Sequence, residues 1–192
     1  MIFCGLMFLL LVLTLLLQLF LPVISFQSGE FMFEAHVYLP WSFFYVLALA
    51  VPYPVMLFFS IVLGFMWDAH WMTPRGDVGD PAFGLSAAMF FLLGSFVHGV
   101  RPLFRRGHWV LPILMVGLAV LIQLICEYLL MNFQRGRFEF SGEIWFKMVL
   151  TSFTAMVLAP LLLLIIGKVA KKCGYQLEFE QFMFRRVYGH QI

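Results

Sequence analysis

The sequence predicts an all-α polytopic membrane helix bundle, six helices joined by short loops. Three observations carry that expectation. Charged residues make up 11% of the chain and hydrophobic ones 63%, whereas a soluble domain carries roughly 25% charged residues. Apolar runs approaching the roughly 20 residues that a helix needs to cross a bilayer recur along the chain. Proline, glycine and charged residues collect in brief stretches between those runs. The 192 residues then divide into a bundle, 1–172, and an amphipathic tail, 173–192, with no length left for a separate soluble domain. A net charge of +2 gives no sign of nucleic-acid binding. Cys4, Cys126 and Cys173 show neither metal spacing nor a disulfide framework and read as inert thiols.

The stretch from Ile2 to Ser25 is apolar apart from Thr14, Gln18 and Pro22, and no Lys or Arg precedes it. Its length and the missing basic leader predict a first transmembrane helix rather than a cleaved signal. Gln27 to Tyr38 reads as a polar-aromatic loop with Glu30, Glu34 and His36. From Leu39 to Asp68 the chain is apolar again, broken by Pro52-Tyr53-Pro54. Two prolines around one residue do not continue a helix. Two short spans, a hairpin entering and leaving on one side, and a single kinked helix all fit that pattern. Two helices, Leu39–Val51 and Pro54–Asp68, is the preferred reading.

In the second of these, Ser60, Gly64 and Asp68 recur every four residues and so share a helix face. Small residues at that spacing admit a close neighbour. Ala69 to Pro81 is an irregular polar loop. Its Asp77 and Asp80 lack the remaining ligands of a calcium loop, so it reads as a solvated turn. Phe83 to Val100 is the next helix, with Gly84, Ala88, Ser95 and Gly99 in a narrow stripe suited to helix packing or partner binding. Arg101 to His108 is a basic loop containing Arg101, Arg105 and Arg106.

Trp109 to Phe133 is the fifth helix, with Gln123 and Glu127 one turn apart. Ile144 to Gly167 is the sixth. There Lys147, Thr151, Thr154, Ala155 and Ala159 share a face, and Pro160 is expected to kink the helix. Beyond it Phe179, Phe182, Met183 and Val187 form an apolar face near Arg185 and Arg186, suited to the headgroup region.

With six helices, Arg101, Arg105, Arg106, Lys168, Lys171, Lys172, Arg185 and Arg186 fall on one side, and Arg75, Arg135, Arg137 and Lys147 on the other. The positive-inside rule then places both termini of a multi-pass membrane protein in the cytoplasm. If Leu39–Asp68 were one span, the N-terminus would move outside.

Ionisable groups within a bilayer cost about 2.5–3.5 kcal/mol each on insertion scales. On this topology Asp68, Glu127 and Lys147 all sit in the outer leaflet. They are expected to face the bundle interior as a polar cluster, either gluing helices together or holding a ligand. Trp41, Trp67, Trp71 and Trp145 lie toward the same side and read first as an interfacial aromatic belt. No metalloprotease, nucleophile-elbow or phosphate-loop motif is present. The expectation is a non-enzyme without cofactor or metal.

The segment ending A-L-A-V-P, the helix ending L-G-F-M-W-D, the following F-G-L-S-A-A and the later V-R-P-L-F-R-R together resemble the MreD family, bacterial rod shape-determining membrane proteins. The likeness covers about Leu39 to Lys172. It maps that family's proline to Pro52, its G-x3-D helix end to Gly64 and Asp68, and the glycine opening the next helix to Gly84. The family's basic loop maps to Arg101–Arg106 and its last-helix proline to Pro160. The loop after Asp68 is longer than is usual in the family, and the tail past Lys172 is extra. The resemblance implies a non-enzymatic scaffold of the cell-elongation (Rod) complex. Such a protein binds MreC, works with MreB, RodA and a class B penicillin-binding protein, and supports lateral-wall peptidoglycan synthesis. A homo-oligomer is compatible with it. The alternative is a substrate-binding S component of an energy-coupling-factor vitamin transporter, a fold that MreD resembles in shape.

Overall fold

Among the described residues six helices and one short hairpin follow one another in the computed structural model: α1 (Ile2–Gln18), β1 (Ile24–Ser28), β2 (Phe31–Ala35), α2 (Leu39–Ala50), α3 (Tyr53–Trp71), α4 (Leu85–Gly99), α5 (Val110–Arg135) and α6 (Gly142–Lys172). The structure describes residues 2–21, 24–28, 31–71, 84–101, 110–136 and 141–175, with 24–28, 31–35, 70–71 and 134–135 described by backbone alone. The readings made for the 72–83 loop, for Arg105 and Arg106, and for the tail beyond Tyr175 lie outside the described residues.

The chain breaks where proline forbids helix. α2 ends at Ala50, Val51 is extended and α3 starts at Tyr53, so Leu39–Asp68 is two helices. Pro40, Pro54 and Pro112 instead sit in the first turns of α2, α3 and α5, where the missing N–H has no carbonyl to meet. Pro160 lies inside α6, which runs unbroken on both sides of it.

The first helix is shorter than expected. It stops at Gln18, and Ile24–Ser28 pairs antiparallel with Phe31–Ala35, Ile24 opposite Ala35 and Ser28 opposite Phe31. The polar-aromatic loop is therefore partly a β-ribbon. Apolar and polar residues alternate in I-S-F-Q-S, the period of a strand and not of a helix. The six-helix expectation stands, with this one ribbon added to it.

α2 is the hub. Every residue from Pro40 to Ala50 is buried, and the helix contacts α1, α3, α4, α5 and α6. At 1.5 Å per residue it is only about 18 Å long, well short of the roughly 30 Å hydrocarbon layer. Around it the remaining helices pair. α3 meets α4 where Gly64 faces Ala87, so closely that a Cβ on Gly64 would overlap the Ala87 backbone. α5 meets α6 where Ser152 Oγ donates to the Gly117 carbonyl at 2.8 Å. α1 and the end of α6 come together through the stacked rings of Phe3 and Tyr175, 4.2 Å apart. The first helix therefore begins at the end of the bundle where the last one finishes.

The small-residue stripe of α4 is one position out of register with the packed face. The buried residues are Ser86, Ala87, Phe90, Gly94 and Val97. Ala88 and Gly99 are exposed, while Gly84 and Ser95 are half-buried. A Cβ at Gly99 would meet nothing within 4 Å, whereas one at Gly94 would lie 2.9 Å from both Met56 Sδ and Phe44 Cζ. Gly94 is the close-approach residue, and Gly99 is not.

Polarity runs inside out relative to a soluble protein. Ser42, Ser60, Asp68, Gln123, Asn132, Thr151 and Ser152 are buried, while Leu9, Phe20, Phe58, Leu92, Phe153, Val157 and Leu164 are exposed. Among the described residues two helices are long and apolar enough to cross a membrane: α5 over Val110–Phe133, with mean hydropathy 2.3, and α6, with mean hydropathy 2.5.

Candidate functional site

The conspicuous polar groups gather at the end of the bundle nearest the hairpin. Here the chain enters α2, leaves α3, enters α4, leaves α5 and enters α6. Leu39 N–H donates to Gln18 Oε1 at 2.9 Å, tying the start of α2 to the end of α1. His36 N–H donates to Thr151 Oγ1 at 3.2 Å, and Thr154 Oγ1 donates back to the His36 carbonyl at 3.4 Å. The stretch between ribbon and α2 is thereby fastened onto α6.

Asp68 is 4% exposed and its role is local. Its Oδ2 accepts the Gly84 N–H at 2.6 Å, and Gly84 stands at the N-cap of α4 with φ 94°. Glycine alone adopts that left-handed geometry without cost from a Cβ. A carboxylate at a helix N-terminus is also favoured by the helix dipole. Asp68 thus caps the next helix and locks α3 to α4, about one helical turn beyond their Gly64–Ala87 contact. Oδ1 has no hydrogen-bond partner among the described residues.

Beside it stands an aromatic wall. Tyr38 stacks on Trp41 at 4.6 Å, Trp41 meets Trp67 edge-on at 5.3 Å, and Tyr38 meets Trp67 edge-on at 5.8 Å. Trp41 and Trp67 are 1% and 4% exposed, so these two are core residues and not an interfacial belt. Trp145, 43% exposed, keeps the belt character, and the side chain of Trp71 lies outside the described residues. Burial, and then the charge of Glu127, push the Tyr38 phenol up to about 12, so it remains a proton donor at neutral pH.

On the other side of Tyr38 lies a cavity of about 340 Å³. Glu127 and Lys147 both line it, from α5 and α6 respectively, together with Tyr128, Thr151, His36 and Tyr38. A hydrogen-bonded chain runs to it from the core: Tyr45 OH donates to Gln123 Oε1, and Gln123 Nε2 donates to Glu127 Oε1 at 3.1 Å. Since Gln123 is fully buried, its orientation is fixed, and it aims the carboxylate of Glu127. Asp68 is not among the cavity-lining residues. Of the three ionisable residues expected as one cluster, Glu127 and Lys147 line the cavity, while Asp68 caps α4 outside it, close enough for its charge to act on Glu127. Among the described residues no three His, Cys, Asp or Glu side chains come together as a metal site requires.

Ser60 is also local, its Oγ donating to the Leu57 carbonyl at 2.7 Å. Ser95 Oγ lies 3.3 Å from Tyr53 OH. Arg101, expected in a basic surface loop, instead reaches the opposite end of α2. Its guanidinium donates to the Ala48 carbonyl at 2.6 Å and to the Val51 carbonyl, two acceptors the helix end leaves open. His36, Tyr38 and Tyr128 were not read from the sequence as site residues. They come from the ribbon linker and from α5, and no spacing in the sequence joins them. No family model, curated protein or solved structure matches the chain.

Proposed function

We propose that this chain is a multi-pass membrane scaffold of the MreD type, a non-enzymatic subunit that binds MreC and supports the synthesis of lateral-wall peptidoglycan. The carrying observation is what the residues of the resemblance do. Pro52 separates α2 from α3. Gly64 admits α4, Asp68 binds Gly84, and Arg101 closes α2. All four act to lock short helices around a buried one, as a rigid scaffold requires. The inside-out polarity and the apolar outer faces of α5 and α6 support the membrane setting. Contiguous exposed apolar surface of this kind marks lipid or partner contact.

Partner contact belongs to the outer faces, where Ala88 and Gly99 are exposed beside Leu92 and Phe96. The test is a pull-down of tagged protein from detergent extract, with the co-purifying chains identified by mass spectrometry. Recovery of MreC and wall synthases, reduced by Ala88→Leu or Gly99→Leu while the bundle stays folded, is the expected result. Recovery of an ATPase-bearing transporter module instead would overturn the scaffold reading. That outcome would favour the S-component reading, which the cavity at Glu127 and Lys147 supports independently.

A further inference from the structure

We infer that the cavity between α5, α6 and the His36–Tyr38 linker takes a small zwitterion, its ammonium on Glu127 and its anionic group toward Lys147. The inference rests on the cavity being a ligand site, and it holds whichever partners the chain binds. Three features carry it. First, the lining places opposite charges on two different helices facing one space of about 340 Å³, within the roughly 300–1,000 Å³ of small-molecule sites. A purely structural acid–base pair needs no such space, and close-packed interiors give up contacts wherever one is left.

Second, the carboxylate is pre-set. Gln123 holds one oxygen of Glu127 at 3.1 Å, and Tyr45 holds Gln123. A group fixed in advance loses little freedom on binding. Third, Tyr128 lines the cavity beside Glu127, and an aromatic ring next to a carboxylate suits an organic ammonium. Leu124 and Met148 supply apolar walls for a short carbon chain between the two charged ends. At 1.5 Å per residue, Glu127 lies about 12 Å from the end of α5 and Lys147 about 7.5 Å from the start of α6. This is the depth of a site reached from the water or headgroup layer rather than from mid-bilayer. Free amino acids and an ethanolamine headgroup share the required chemistry.

The experiment is titration calorimetry on the full chain in phosphatidylglycerol nanodiscs. Alanine, 4-aminobutyrate and 6-aminohexanoate vary the charge separation, and glycerophosphoethanolamine stands for the headgroup. Butylamine and butyrate each carry one charge alone. We expect one zwitterion to bind saturably, with affinity falling about tenfold or more when either charge is removed, the order of one charge-assisted hydrogen bond. Glu127→Gln and Lys147→Met should each cause a similar loss, and Leu124→Trp, which fills the space without touching a charge, should abolish binding. Binding of glycerophosphoethanolamine but no amino acid would assign the lipid source within the same proposal. Butylamine or butyrate binding as tightly as any zwitterion, yet lost with Leu124→Trp, would overturn the ligand class and leave the cavity as a site. No binding by any probe, with the folded state of the wild type verified by its thermal transition, would overturn both.

Discussion

A methyl group added at Gly64 would run into the backbone of Ala87, which cannot move aside as a flexible side chain can. Gly64→Ala therefore forces α3 and α4 apart, and overpacking of this kind costs about 1–3 kcal/mol. At Gly84 the obstacle is conformational: with φ 94° and the nearest atom, Phe65 Cε1, 3.9 Å away, there is room for a Cβ but not the right backbone. Gly84→Ala is expected to cost about 1–2 kcal/mol. Gly99, with nothing within 4 Å, should tolerate alanine to within about 0.5 kcal/mol. Thermal unfolding of the three variants in one detergent measures the order. A Gly99→Ala change as damaging as Gly64→Ala would sink this account of the α3–α4 contact. Sequence alone could not rank these glycines. The run Ser86-Ala87-Ala88 offers small side chains on adjacent faces, and spacing does not choose between them. The Gly84, Ala88, Ser95, Gly99 stripe was legible, but the face that packs is Ala87, Phe90, Gly94 and Val97.

The elements were largely legible because apolar runs and prolines mark them. Pro52 identified the break between α2 and α3, and the lysines at 168–172 extend α6 past the expected stop at Gly167 because nothing in them breaks a helix. The ribbon was missed because its strands are five residues each, too short for alternation to outweigh a polar loop composition. The burial of all of α2 was missed as well, since a helix apolar all round reads alike in lipid and in protein. That burial makes the end of α2 consequential. Its last carbonyls sit where neither water nor a further helical turn meets them, and Arg101 supplies the donors. Arg101→Ala should leave those acceptors unpaired, at about 1–3 kcal/mol. Arg101→Lys, with a single ammonium in place of a planar fork, should recover only part. Amide exchange around Leu47–Met56 should rise in Arg101→Ala while the Gly117–Ser152 region stays protected. Unchanged exchange at the α2–α3 turn would show that Arg101 does not hold it.

For the molecule as a whole, sidedness follows from how many times the chain passes through the bundle. Phe3 and Tyr175 stack, so the number of passes is even, and the short α2 and α3 count as two of them. The lysines at 168, 171 and 172 lie at that same end, as does Arg101, whereas the ribbon, Ser141 and the Glu127–Lys147 cavity lie at the other. Basic residues near helix ends stay on the cytoplasmic side. The ribbon end is therefore expected to face outward, and with it the Glu127–Lys147 cavity. Both Ser141 and Lys172 are exposed, which makes them suitable reporters. In a chain with Cys4, Cys126 and Cys173 replaced by alanine, Ser141→Cys should react with a membrane-impermeant maleimide on intact spheroplasts. Lys172→Cys should react only after lysis. The reverse pattern would invert the molecule and put the cavity in the cytoplasm. Labelling of both positions from outside would mean that α6, the one helix between them, does not cross the bilayer, and would remove the membrane topology on which the scaffold reading depends.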